Sequence, residues 1–346
     1  MLAHSGQAVF IRMKREEIRM LSTRNVLKGT LAALATVAFV GTAQAEYPTK
    51  PVTLVSPYGP GGAADLAART VSATAPGYLG NGVLVVNRTG AAGVTGSAFV
   101  ANSKPDGYTL LLSRVGSQAA VPAINSKIPY KWNDFSFLGL LEQNPFVLAV
   151  KEDSPYKTLK DLTDAIKGGA KLKYASAGVG TLLHVAVIML LDDLKLPASA
   201  AIHIPFKGGG KAAAAVAGGH ADMIFQNLSG VISQIQGKKL RALVITTKER
   251  APSLPDVPTA TEAGHPGLHA IVGWSGVWGP KGLPKDVTDK WVGVLDKLKT
   301  DKAWLKLTKS LGSVPSIMTP ADTEAFVKNQ YTKFKDVADR LGLAIK

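Results

Sequence analysis

Two glycine-rich turns carry the clearest chemical signal in the chain: Pro57-Tyr58-Gly59-Pro60-Gly61-Gly62-Ala63-Ala64 and Ser176-Ala177-Gly178-Val179-Gly180-Thr181. Each follows a short apolar run and precedes a helix-forming stretch. Backbone N–H groups at a helix start are unpaired and carry a partial positive charge, so a turn without side-chain bulk lets an anion come close. Such loops suit carboxylates. Tight βα turns also use glycine simply to pack, so neither loop is decisive alone. Two of them in separate halves of the chain strengthen the reading, because ligands of open α/β sheets sit at the C-terminal strand ends and two facing lobes make a cleft.

Other chemistries lack their signatures. The nearest approach to a phosphate loop, Gly208-Gly209-Gly210-Lys211, has Pro205 where the first glycine belongs and Ala212 after the lysine. There is no His-Glu-x-x-His, and Gly273-Trp274-Ser275-Gly276 lacks the last glycine of a nucleophile elbow. His184, His203, His220, His265 and His269 show no metal-ligand pairing; Pro266 and Gly267 spoil the helix that His265 and His269 would need. The chain has no cysteine, which removes disulfides, thiolate metal sites and cysteine nucleophiles. No metal, nucleotide or other cofactor is expected.

The elements that must hold the loops alternate in type. Strands are predicted at Val52–Val55, Val83–Val86 and Thr109–Ser113, with helices at Ala63–Ala75 and Thr95–Ala101, three βα steps that imply a parallel, doubly wound sheet. A second series starts near Val147–Val150 and continues through strands at Leu172–Ala175, Ile202–Phe206, Met223–Phe225 and Leu240–Thr246. Its helices fall at Leu182–Leu191, Ala212–Ala217 and Val231–Ile235. Val272–Trp278 reads as a further strand, and helices at Lys285–Leu298 and Pro320–Leu341, the latter with Thr319 as N-cap, close the chain. The fold class is α/β: a first lobe from residues 46–146 and 272–346, a second from 147–271, and crossovers near 147 and 272.

At 346 residues the chain is long enough for about two domains. Hydrophobic residues at 46% against 19% charged fit a folded α/β protein rather than a disordered one. Arg24 and Lys28 precede an apolar stretch, Leu31–Val40, and Ala43-Gln44-Ala45 follows, the pattern of a secretory leader over residues 1–45. Met20 would begin a leader of ordinary length. Removing that segment takes away six basic and two acidic residues and lowers the formal charge from +15 to +11. The remaining lysines are scattered, as in Lys297, Lys299, Lys302, Lys306 and Lys309, which reads as a solvated helix face rather than a nucleic-acid surface. The expected location is the periplasm.

Several motifs, in order along the chain, resemble the receptors of tripartite tricarboxylate transporters, also called Bug or TctC-like solute-binding proteins. They are Tyr47-Pro48-x-Lys50-Pro51-Val52, Pro60-Gly61-Gly62-x-x-Asp65-x-x-Ala68-Arg69, Asn87-Arg88-x-Gly90-Ala91-x-Gly93, Pro105-Asp106-Gly107-Tyr108-Thr109-Leu110, and Val257-Pro258-Thr259-x-x-Glu262-Ala263-Gly264-x-Pro266-Gly267. The resemblance implies a type II periplasmic binding fold whose two lobes close on a small carboxylate and deliver it to membrane permease subunits. It also implies that the loops Tyr58–Gly62 and Ala177–Thr181 hold a carboxylate, partly through water.

From the residues themselves, Gly61, Gly62, Gly178, Gly180 and Thr181 would supply backbone and hydroxyl donors. Asp65, near the first helix start, either braces its loop or meets a ligand amine. Arg114, at the end of its strand, either pairs with a second ligand carboxylate, which would mark a dianion, or lies on the surface. Tyr58, Phe206, Phe225 and Trp274 fall at strand ends where they could cover an aliphatic or aromatic ligand, or pack in the core. Phe225-Gln226-Asn227 stands where the family commonly has an acidic residue, which weakens the case for an amine-bearing ligand. The expected protein is a monomeric receptor for a mono- or dicarboxylate that performs no chemistry. The rival readings are a sensor input for a two-component system and an exported enzyme using Asp65 with His184.

Overall fold

Short runs of Val, Leu and Ile become the strands because a strand covered by helices on both faces needs no polar alternation. In the computed structural model, which describes residues 46–345, β1 (Val52–Ser56) lies parallel between β2 (Val83–Asn87) and β3 (Thr109–Arg114). Helices α1 (Ala63–Thr74) and α2 (Val94–Ala101) make the connections. The expected leader, residues 1–45, lies outside the described residues.

The next strand, β4 (Phe135–Lys151), runs for 17 residues. The second series follows as α3 (Leu159–Lys167), β5 (Lys173–Ser176), α4 (Leu182–Asp193), β6 (Ile202–Pro205), α5 (Gly209–Ala217), β7 (Met223–Asn227) and β8 (Leu240–Ile245). The chain then returns through β9 (Val272–Pro280), α6 (Lys285–Leu298), α7 (Lys302–Ser310), β10 (Val314–Pro315) and α8 (Pro320–Arg340). The strands are ordered β2-β1-β3-β9-β4-β7-β5-β6, with β8 and β10 also paired to β4.

The two outer groups, β2-β1-β3 and β6-β5-β7, are parallel as expected of βα units. The middle departs from the parallel expectation, because β9 and β4 run antiparallel to their neighbours. They lie side by side between the two parallel groups. The first part of β4, Phe135–Pro145, pairs with β9, and the rest, Phe146–Lys151, pairs with β7 and β8. β4 therefore changes strand partners at Pro145/Phe146, and the return strand β9 begins opposite the same point, Val272 facing Pro145.

Closing helices cover the first lobe. Thr319 caps α8 by accepting from the Asp322 N–H at 3.2 Å, and Val327, Phe334 and Ala338 form its buried stripe against β4 and the Gly116–Ala120 turn. Trp304 anchors α7, whereas Lys297, Lys299, Lys302, Lys306 and Lys309 are all exposed, a solvated face.

Candidate functional site

α1 starts without a side-chain cap, Gly62 being its N-cap. Its first-turn amides have no carbonyl one turn back to bond, so they remain donors. Asp65 does not serve them. Its Oδ2 accepts from the Gly61 N–H at 3.1 Å and the Arg69 Nε at 2.9 Å, and its Oδ1 accepts from Asn87 Nδ2 at 3.0 Å. Burial alone would raise its pKa, yet these donors outweigh it and hold the carboxylate below its usual range. Asn87 also donates to the Tyr58 carbonyl at 2.9 Å, so the loop from Tyr58 to Gly61 is strapped to α1 and β2.

α4, from the other lobe, is likewise uncapped. Thr181, its N-cap, turns its hydroxyl back to the Gly178 carbonyl at 2.8 Å and leaves the Leu182 and Leu183 amides without a side-chain acceptor. Thr158 caps α3 and Asp301 caps α7, whereas α2, α5 and α6 also lack a side-chain cap.

Beneath this second loop three rings stack. His203 lies 4.9 Å from Tyr174 and 4.2 Å from His184, centroid to centroid. His203 Nε2 shares a 2.6 Å hydrogen bond with Ser176 Oγ, and the Gly180 N–H donates to His184 Nδ1 at 3.2 Å. Burial lowers both imidazoles to about 4, helped at His184 by the neighbouring His203, so both are neutral near pH 7. Asp65 and His184 are each committed to partners of their own and not to each other.

Two glycine runs pack backbone against backbone. A Cβ on Gly210 would stand 2.6 Å from the Pro60 carbonyl oxygen, and one on Gly59 would stand 2.9 Å from that of Lys207. The run Gly208–Gly210 thus seats the N-terminus of α5 against the Gly59–Gly62 loop, which is why it carries no side chains there.

Where the helix starts converge lies a cavity of about 40 Å³. Gly62, Ala63 and Ala64 line it from α1, Thr181, Leu182 and Leu183 from α4, and Gly209 from α5. Arg114, Gln226 and Asn227 complete it with Tyr58 and Ala177. Gln226 is 1% exposed and its Nε2 has no partner, so a buried donor faces an acceptor-sized space. Arg114 is 3% exposed, not on the surface. Its Nη1 donates to Ser275 Oγ at 2.5 Å, its Nη2 to Asn227 Oδ1 at 2.8 Å, and Glu142 lies 3.7 Å away. Burial lowers its pKa and Glu142 opposes the shift.

An adjoining cleft of about 480 Å³ shares Tyr58 and Ala177 with this cavity and adds Gly178, Gly180 and Phe206. Of the expected residues, Gly61, Asp65, Phe225 and Trp274 line neither space. Gly61 sits at φ +74° with its N–H given to Asp65. β7 runs two residues past Phe225, which puts Phe225 inside the strand and fully buried. Trp274 alternates with Ser275 along β9, so Ser275 faces Arg114 while Trp274 packs against Trp278 and Phe326. Gln226 and Asn227 are additions to the expected site residues, their signals in the sequence being a polar pair at the end of an apolar strand and the departure from the family's acidic residue there.

Two α/β lobes closed over such a cradle define a periplasmic-type solute-binding protein, and solved structures bear this out. BugD, a periplasmic binding protein, is 31% identical with a TM-score of 0.82, over 87% of this chain and all of its own. MatC of Rhodopseudomonas palustris, solved with bound malate, is 28% identical with a TM-score of 0.78, over 84% and 99%. Among curated proteins, one from the tcbD-tcbE intergenic region of Pseudomonas sp. strain P51 is 32% identical over 86% of this chain and 88% of its own. The sequence profile of the tripartite tricarboxylate transporter family receptor matches residues 67–343, and the chain belongs to that family. The family is one of solute receptors rather than enzymes.

Proposed function

We propose that this protein is a periplasmic receptor that captures a small organic carboxylate between its lobes and presents the closed form to a tripartite permease. The observation that carries the reading is the meeting of two uncapped helix starts, α1 and α4, from opposite lobes at one small cavity with the unpaired Gln226 amide. A carboxylate there accepts from both lobes at once, so only the closed arrangement makes all the contacts and ligand shifts the population toward it. The lobes on this reading are residues 46–146 with 272–346, and 147–271, moving about β4 and the start of β9. The malate bound by MatC is of the same ligand class.

A thermal-shift panel of carboxylates on protein refolded to remove carried ligand tests the proposal. Ligand at one hundred times its dissociation constant stabilises by about 2.7 kcal/mol, a shift of several degrees for a chain of this size. Folded protein that no carboxylate shifts at millimolar concentration would refute it.

A further inference from the structure

The two spaces of the cleft differ in chemistry. The small cavity is about 40 Å³, room for only a few atoms, and the free buried donor Gln226 Nε2 and the Arg114 guanidinium line it. The adjoining cleft is about twelve times larger and lined by Val94, Val121, Ile124, Ile128, Val179 and Phe206. Among the described residues its charged lining consists of Lys127 and Lys207, both solvent-exposed, and none of that lining is a buried cation. Arg114 does not supply one, since it lines the small cavity and not the larger cleft, with Ser275, Asn227 and Glu142 around it.

Resting on the carboxylate reading above, we propose that the ligand is a monocarboxylate with an extended apolar body, its headgroup in the small cavity and its body in the larger cleft. A second carboxylate placed in that cleft would lose water without gaining a buried cation, which is unfavourable, whereas an alkyl or aryl body gains by leaving water. The arrangement favours one negative charge, against the dianion that Arg114 suggests in the bare sequence. A cleft of this volume falls in the range of small-molecule sites, so bodies longer than malate's four carbons have room.

Calorimetric titration of the refolded protein with octanoate, suberate and malate tests this. Octanoate and suberate share chain length and differ in the second carboxylate. Octanoate is expected to bind at least tenfold tighter than either dianion. Lys127 and Lys207, both solvent-exposed, can be removed without disturbing the core, and Lys127→Ala with Lys207→Ala is expected to leave the octanoate-to-suberate ratio within about threefold of the parent's. Suberate or malate binding as tightly as octanoate to the unaltered protein, or a ratio that moves at least tenfold toward octanoate when the two lysines are removed, overturns the inference and leaves the carboxylate reading standing. Failure of all three acids, and of the wider panel, overturns both.

Discussion

Arg114 Nη2 donates to Asn227 Oδ1 at 2.8 Å, tying the last residue of β3 in one lobe to the last residue of β7 in the other. The same guanidinium reaches Ser275 on β9, whose hydroxyl donates to Glu142 on β4 at 2.7 Å. Asn144, two residues along β4, donates to Glu142 and accepts from Ser229 and Ser313. A buried polar chain therefore threads both crossover strands beside the cavity.

Removing Arg114 alone leaves the Glu142 carboxylate buried without its cation. Arg114→Met should destabilise the fold by roughly 3 kcal/mol or more, and Arg114→Met with Glu142→Met should recover much of that. Urea-unfolding midpoints of the two variants, at constant slope, check it. Equal loss in both would mean that the ion pair is not what the cation supports.

The glycine contact between lobes predicts a variant that folds but does not close. Gly210 lies in the first turn of α5, where Ala is the better helix former, yet its Cβ would strike Pro60 and Gly61. Gly210→Ala should keep or slightly raise the melting temperature without ligand and cut ligand affinity at least tenfold. Calorimetry gives the affinity, and small-angle scattering should show that ligand no longer compacts the molecule.

Asp65 is predicted to act on binding through its loop. Asp65→Ala leaves the Gly61 N–H without its acceptor and the Asn87 amide with only the Tyr58 carbonyl, a loss of about 1 to 3 kcal/mol. Ligand affinity should fall with it, because the Tyr58–Gly62 loop is what the carboxylate strap holds. Asp65→Asn, which keeps one acceptor, should lie between. Unchanged affinity in Asp65→Ala would separate the strap from the site.

The stacked histidines set a pH window. In the unfolded chain His184 and His203 titrate near 6.5, whereas burial holds both near 4 in the fold. Between those values the unfolded chain binds protons that the folded one refuses, so stability present above pH 6.5 is lost as pH falls toward 4. His203→Phe keeps the stack and removes one proton site. Melting temperatures from pH 7.5 to 4 should therefore fall less steeply in the variant than in the parent.

Much of this architecture was legible in the sequence. The βα units announce themselves because buried parallel strands are short and apolar, and both glycine loops stand where such units turn. β4 was legible only at Val147–Val150, since Glu142, Gln143, Asn144 and Pro145 disguise a strand whose polar residues are satisfied by partners over 80 positions away. Phe225 and Trp274 show a second limit: one residue of phase decides which face a strand side chain takes, and strand ends are not fixed that finely by local pattern. Arg114 shows a third, because its type announces an anion while only tertiary structure reveals that Glu142 is already there.

The strand β4 is paired on both sides of Pro145/Phe146, without a break in its chain. On the two-lobe division proposed above, the joint is a continuously hydrogen-bonded strand and not an unpaired tether, so any movement of one lobe against the other has to twist paired backbone.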